Sequence, residues 1–171
     1  MRKALLIYPE FSRYGFWNYR EVCRLQGAKY PAAPLGLITL AALLPQDWSF
    51  RLIDLNAASL SDSDIAWADL VFIGGMLPQQ LSFLKLIERV HRLGKRVVAG
   101  GPDPTSQPQI YRQADFLVLG EAECTLPRFL EDLQAGARKG VYLASPNRPD
   151  IRLSPVPVSY THLTLPTIYS V

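Results

Sequence analysis

Histidine and cysteine are scarce in this chain of 171 residues, which has two of each, and it also lacks an excess of charge of one sign and any long apolar run. Cys23 and Cys124 form no CxxC or other metal-ligand spacing, so the sequence encodes neither a disulfide framework nor a zinc site, and a reducing, cytoplasmic compartment is the expectation. The net charge is only +3 and the eighteen Lys and Arg residues are scattered rather than striped, so no nucleic-acid partner is expected. The longest apolar run, residues 31–45, is broken by prolines and too short to cross a bilayer, and no transmembrane segment is expected. The start, Met1-Arg-Lys-Ala-Leu-Leu-Ile-Tyr-Pro9, is basic, but its apolar stretch ends too soon for a signal peptide.

What is present is an ordinary globular composition, 49% apolar and 19% charged, in a length that suits one domain with a real core. Two segments stand out: Lys95-Arg-Val-Val-Ala-Gly-Gly-Pro-Asp-Pro-Thr105 and Asp115-Phe-Leu-Val-Leu-Gly-Glu-Ala-Glu-Cys-Thr125. Each is a short apolar run that stops on glycine, as a doubly buried parallel strand does where a doubly wound fold forms its ligand crevice. Further strands are expected at Ala4–Tyr8, Phe50–Asp54 and Leu70–Ile73. Helices are expected over about 79–93, with Leu81, Leu84, Ile87 and Val90 on one face, and over about 125–135. Five strands with intervening helices predict an α/β, flavodoxin-like, doubly wound parallel sheet with right-handed crossovers.

Two regions break the rhythm. Residues 9–34 are long for a strand-to-helix loop and hold Phe11, Tyr14, Phe16, Trp17, Tyr19 and Tyr30, a composition suited to a lid, a binding loop or a partner surface. From about Gly140 to Pro157 the chain is Pro-rich and aperiodic, as in a linker. Beyond it, Val158-Ser-Tyr-Thr-His-Leu-Thr-Leu-Pro-Thr167 resembles the translation of a transposon-end adapter used in sequencing libraries. Residues 158–171 are therefore read as a non-native tail, which removes functional meaning from His162.

The order of several short motifs carries a resemblance. Tyr8-Pro-Glu-Phe11, Pro34-Leu-Gly-Leu37 with Leu40-Ala-Ala-Leu43, Leu52-Ile-Asp-Leu-Asn56, Ala68-Asp-Leu-Val-Phe-Ile-Gly-Gly75, Gly100-Gly-Pro102 and Gly120-Glu-Ala-Glu123 resemble the N-terminal cobalamin-binding domain of B12-dependent radical S-adenosylmethionine (radical SAM) enzymes. The subgroup most similar includes hopanoid methylases. The resemblance implies a cobalamin-binding domain over 1–142, a linker over 143–157, and a C-terminal radical SAM barrel missing from this chain. That barrel would hold S-adenosylmethionine and a [4Fe-4S] cluster on a Cys-x3-Cys-x2-Cys motif, and it would be this domain's partner.

Cobalamin offers a broad apolar face and a long nucleotide tail, and small residues at strand ends let a ligand approach the backbone. The cofactor-binding candidates are accordingly Gly74, Gly75, Met76 and Leu77 after the third strand, Gly100, Gly101 and Pro102 after the fourth, and Gly120 with Glu121 after the fifth. The same glycines could equally serve turns and caps. Classical cobalamin modules have Ser-x-Leu where this chain has Gly75-Met76-Leu77, so a hydroxyl contact to the tail is absent. Those modules also place Asp-x-His-x-x-Gly after the first strand, whereas Pro9-Glu-Phe-Ser-Arg13 has no histidine. The resemblance therefore implies cobalamin with its own base detached and its lower cobalt face against an apolar wall or a water.

Other polar residues have two readings each. Asp54 and Asn56 could contact a ligand or cap a turn. Asp103 could do either as well. Glu121 and Glu123 fit cofactor contact or the favourable charge at a helix start, and His91 fits a solvated helix end. No residue is assigned as catalytic or as a metal ligand. The competing functions are a flavodoxin-like receiver or nucleotide-binding domain and a protein-interaction domain without cobalamin. A receiver would want an Asp ending the third strand, but Gly-Gly stands there, and no G-x-G-x-x-G follows the first.

Overall fold

A computed structural model describes residues 1–12, 14, 19–27, 33–144, 149–150, 152 and 154–155, the side chain of Arg20 excepted. Most of the aromatic loop, the stretch from 156 onward and His162 thus lie outside the described residues.

Strands β1 (Lys3–Tyr8), β2 (Ser49–Asp54), β3 (Leu70–Gly74), β4 (Arg96–Gly100), β5 (Phe116–Leu119) and β6 (Gly140–Leu143) form one sheet in the order β2-β1-β3-β4-β5-β6. All neighbours are parallel. The helices are α1 (Arg20–Leu25), α2 (Leu35–Leu43), α3 (Asp62–Trp67), α4 (Gln80–Arg92), α5 (Pro102–Ser106) and α6 (Ala122–Gln134).

The central strands are apolar without alternation because both faces are covered. On one face Leu6, Phe72 and Phe116 pack with Leu37 and Ala41 of α2 and Phe129 of α6. On the other, Leu5, Ile7 and Ile73 pack with Ile65 of α3 and with Phe83, Ile87 and Val90 of α4. Helix α3 begins where Ser61 and Asp64 cap each other reciprocally, the Ser61 Oγ accepting from Asp64 N at 3.2 Å and Asp64 Oδ2 from Ser61 N at 3.0 Å.

The expected doubly wound architecture is present, with three differences. The sheet has a sixth strand, β6, inside the stretch read as aperiodic; four residues are too few for alternation to show, and Tyr142 alone turns inward, its ring 5.5 Å from that of Phe129. Leu81 is 70% exposed, while Phe83, Leu86, Ile87 and Val90 make the buried face of α4, so that face lies differently from the expected stripe. Finally, β5–α6–β6 advances across the sheet in the same direction as β3–α4–β4 but carries its helix on the opposite face, so these two crossovers have opposite hands. Because α6 lies on the α2 side, no described helix covers the other face of β6, and Val141 and Leu143 are exposed.

Candidate functional site

In the order β2-β1-β3 the chain reverses direction across the sheet between β1 and β3, so the carboxyl ends of these two strands flank the switch point of the fold. Most of the residues expected to bind a cofactor gather at this edge. Gly74 and Gly100 end β3 and β4 in register with each other. Beyond them the two loops stay joined: Gly75 N donates to Gly100 O at 3.4 Å and Asp103 N to Gly75 O at 3.3 Å. Pro102 opens α5, and Thr105 on that helix ties in the next strand, its hydroxyl donating to Gly101 O at 2.8 Å and accepting from Gly120 N at 2.9 Å. Glu121 sits at the N-cap of α6 without capping it through its side chain. Its neighbour Glu123 accepts a 2.6 Å bond from the Ser154 hydroxyl.

The space beside these glycines is already filled by protein. A Cβ would lie 3.0 Å from Leu37 Cδ2 at Gly74, 3.1 Å from Phe83 Cδ2 at Gly75 and 2.9 Å from Val118 O at Gly100. At Gly101, where φ is +99°, it would lie 3.0 Å from both N and O of Gly75. Gly120, at φ +86°, would meet Ala144 Cβ at 2.6 Å. The absent side chains thus allow loops to close on one another, and the joined ends of β3 and β4 form a glycine ledge on which Gly74, Gly100 and Gly101 are half-buried and Gly75 is buried. Around it, Leu35 at the start of α2, Leu77 after β3 and Leu81 in the first turn of α4 are exposed apolar groups, with Met76 half-buried.

The loop after β1 is fixed from two sides. Pro9 O accepts from Gln79 Nε2 at 2.6 Å and from Asn56 Nδ2 at 3.1 Å. Phe11 N donates to Asn56 Oδ1 at 2.9 Å, Glu10 N to Ser82 Oγ at 3.1 Å, and Ser12 N to Pro78 O at 2.9 Å. Gln79 is fully buried, and its Oε1 accepts from Met76 N at 2.9 Å. Asn56 is itself oriented by Asp54, whose Oδ1 accepts from Asn56 N at 2.8 Å and Asn56 Nδ2 at 2.7 Å. The other oxygen, Asp54 Oδ2, is buried and has no hydrogen-bond partner among the described residues. A buried acceptor left unmet costs about 1–3 kcal/mol. Burial pushes the Asp54 carboxyl above its usual range, against the opposing pull of the two Asn56 bonds. Burial also raises the Tyr8 phenol, helped by the nearby Asp54 charge and opposed by a bond to Gln79.

The remaining candidates are structural. Asp103 is buried and fully engaged, accepting from Gln80 Nε2 and Gln107 Nε2 at 3.0 Å each and from the Tyr111 hydroxyl. Burial first, then the bond to Asp103 and its charge, raise the Tyr111 phenol far above its usual range. His91 is not simply solvated: its Nε2 lies 2.9 Å from Asp115 Oδ2, which also accepts from Val97 N. Asp115 precedes β5, so His91 belongs to the edge of the sheet opposite the glycine ledge. Among the described residues no group of three or more His, Cys, Asp or Glu is placed to hold a metal ion, and no helix is long and apolar enough to cross a membrane.

Sequence reasoning passed over Gln79, Ser82 and Thr105. The only trace of Gln79 is a polar residue between the Gly-Gly turn and an amphipathic helix, and nothing in that pattern says that it points inward.

No protein-family model matches the chain. Among curated proteins it is 41% identical over 157 residues to an uncharacterized methyltransferase of Synechocystis sp., covering 91% of this chain and 29% of that protein. It is 29% identical over 161 residues to the hopanoid C-2 methylase of Rhodopseudomonas palustris, covering 91% of this chain and 30% of the relative. The chain thus spans about three-tenths of the length of the curated relatives it matches.

Proposed function

We propose that this chain is the cobalamin-binding module of a longer B12-dependent radical SAM methyltransferase. The observation that carries the reading is the ledge of Gly74-Gly75 and Gly100-Gly101 beside the switch point of the sheet, in a chain similar over nine-tenths of its length to two proteins named for methylation.

The residues at this edge suit the group. A wide, largely apolar disc needs a flat floor without projecting side chains, and the joined ends of β3 and β4 supply one. It needs an apolar rim, and Leu35, Leu77, Leu81 and Met76 supply that. Gly120 and Glu121, tied to the ledge through Thr105, extend the floor towards β5. When bound, cobalamin supplies a cobalt centre that carries a methyl group. The work of the chain is to bind and orient it and to keep water from its apolar face. His91 is far from the ledge, and the loop after β1 holds no histidine, so no imidazole of the described chain reaches the floor. The [4Fe-4S] cluster, S-adenosylmethionine and the methyl acceptor would belong to the rest of the longer protein, and this module alone would bind without turnover.

Equilibrium dialysis against hydroxocobalamin tests the reading. Retention of one corrinoid per chain, with a visible spectrum shifted from that of the free compound, is the expected result. A chain that stays folded and retains none would favour a receiver-like or interaction domain.

A further inference from the structure

The loop Pro9–Ser12 lies at the carboxyl edge of the sheet beside the switch point, and it is held by the side chains of Gln79, Asn56 and Ser82. Two amides from opposite sides converge on one acceptor, Pro9 O: Gln79 Nε2 from the β3 side at 2.6 Å and Asn56 Nδ2 from the β2 side at 3.1 Å. Each amide uses its oxygen to hold a further backbone N–H, Met76 for Gln79 and Phe11 for Asn56. The orientation of each amide is therefore set, because a flipped amide would point donor at donor. Asp54 enforces this for Asn56 by accepting from both its nitrogens. Met76, whose N–H is bound by Gln79, lies between the glycine ledge and Leu77 of the rim.

We infer that Asn56 and Gln79 are positioning residues, a two-sided amide clamp that holds the β1 loop and the β3 loop as one fixed wall of the ligand site. The inference rests on the cobalamin reading above and adds the means by which the site keeps its shape. A loop of this kind, if free, would sample conformations that cover the ledge, and the bound population would fall by the fraction so lost. The clamp removes that loss before the ligand arrives.

Two variants and two readouts test the clamp. Gln79→Met keeps the length of the side chain and removes both bonds. Gln79→Glu keeps the acceptor for Met76 N–H and regains a donor for Pro9 O only when its carboxyl is protonated, which burial brings towards neutral pH. Amide hydrogen exchange at Phe11, Ser12 and Met76 is expected to quicken at least tenfold in Gln79→Met. Hydroxocobalamin affinity, taken as a ratio to the unsubstituted chain at each pH, is expected to fall about tenfold in Gln79→Met at every pH. In Gln79→Glu the ratio should return towards one as the pH is lowered from 8 to 5.5, a recovery that general loss of packing would not produce. Equal affinity in Gln79→Met, or a flat ratio in Gln79→Glu, would overturn the clamp and leave the cobalamin reading intact. Failure of the unsubstituted chain to bind hydroxocobalamin would overturn both.

Discussion

A Cβ placed on Gly101 would lie 3.0 Å from both the amide nitrogen and the carbonyl oxygen of Gly75, residues in loops that follow different strands. The Gly101 backbone thus packs directly on that of Gly75, whereas a Cβ on Gly75 would point at Phe83 and Gln79 instead.

Gly101→Val should consequently act on the fold before it acts on any ligand. At φ +99° a β-branched residue is strained, and strain of this kind costs on the order of 1–3 kcal/mol, to which the contact with Gly75 adds. Urea unfolding should show a midpoint well below that of the unsubstituted chain. An unchanged midpoint, together with lost corrinoid binding, would mean that the missing side chain serves the ligand and not the loops.

Asp54 gives the chain a pH dependence whose sign is fixed by its environment. Burial raises the folded carboxyl above its unfolded value, so as the pH falls the folded state takes up the proton first. The linked stabilisation is present at low pH and is lost as the pH rises through the folded value. Compared with Asp54→Asn, the unsubstituted chain should therefore gain stability between pH 7 and about pH 4, the range above the unfolded carboxylate value. Parallel urea titrations across that range check this, and a relative loss of stability on acidification would reverse the assignment.

Much of the architecture was legible because buried parallel strands announce themselves as short apolar runs closed by glycine, as at Val97–Gly101 and Phe116–Gly120. What the pattern could not show was which way a residue points when periodicity is weak. Leu81 fits the helical stripe yet faces solvent, whereas Gln79 is polar yet fully buried, because the loop carbonyl of Pro9 lies within its reach. Strand β6 was hidden by its brevity, since its only inward ring is Tyr142. The glycine pairs were visible as strand ends, but their reason was not. Sequence suggests room for a ligand's tail, and the distances show loops touching across that room. Asp103 was equally open until its three donors, Gln80, Gln107 and Tyr111, were in view.

Removing residues 158–171 should leave the unfolding free energy unchanged within about 0.5 kcal/mol, the usual scale for changes that touch no core. The segment resembles a translated adapter, and the described residues of both core clusters precede it. Thermal or urea unfolding of the shortened chain provides the comparison. A clearly larger loss would make the segment a genuine element of the domain.

If this chain is the cobalamin-binding module proposed above, the ends of β3 and β4 would hold the cofactor with no nitrogen donor to cobalt from the described residues or from the cofactor's own base. The segment after β1, Pro9-Glu-Phe-Ser-Arg13, contains no histidine, and His91 is engaged with Asp115 at the other edge of the sheet. The most direct measurement is the electron paramagnetic resonance spectrum of the Co(II) form after unbound corrinoid has been removed. A retained cobalt signal free of nitrogen superhyperfine splitting is the expected result. No retained cobalt would contradict the binding itself, and a retained signal split by an axial nitrogen would contradict the architecture assigned to the site.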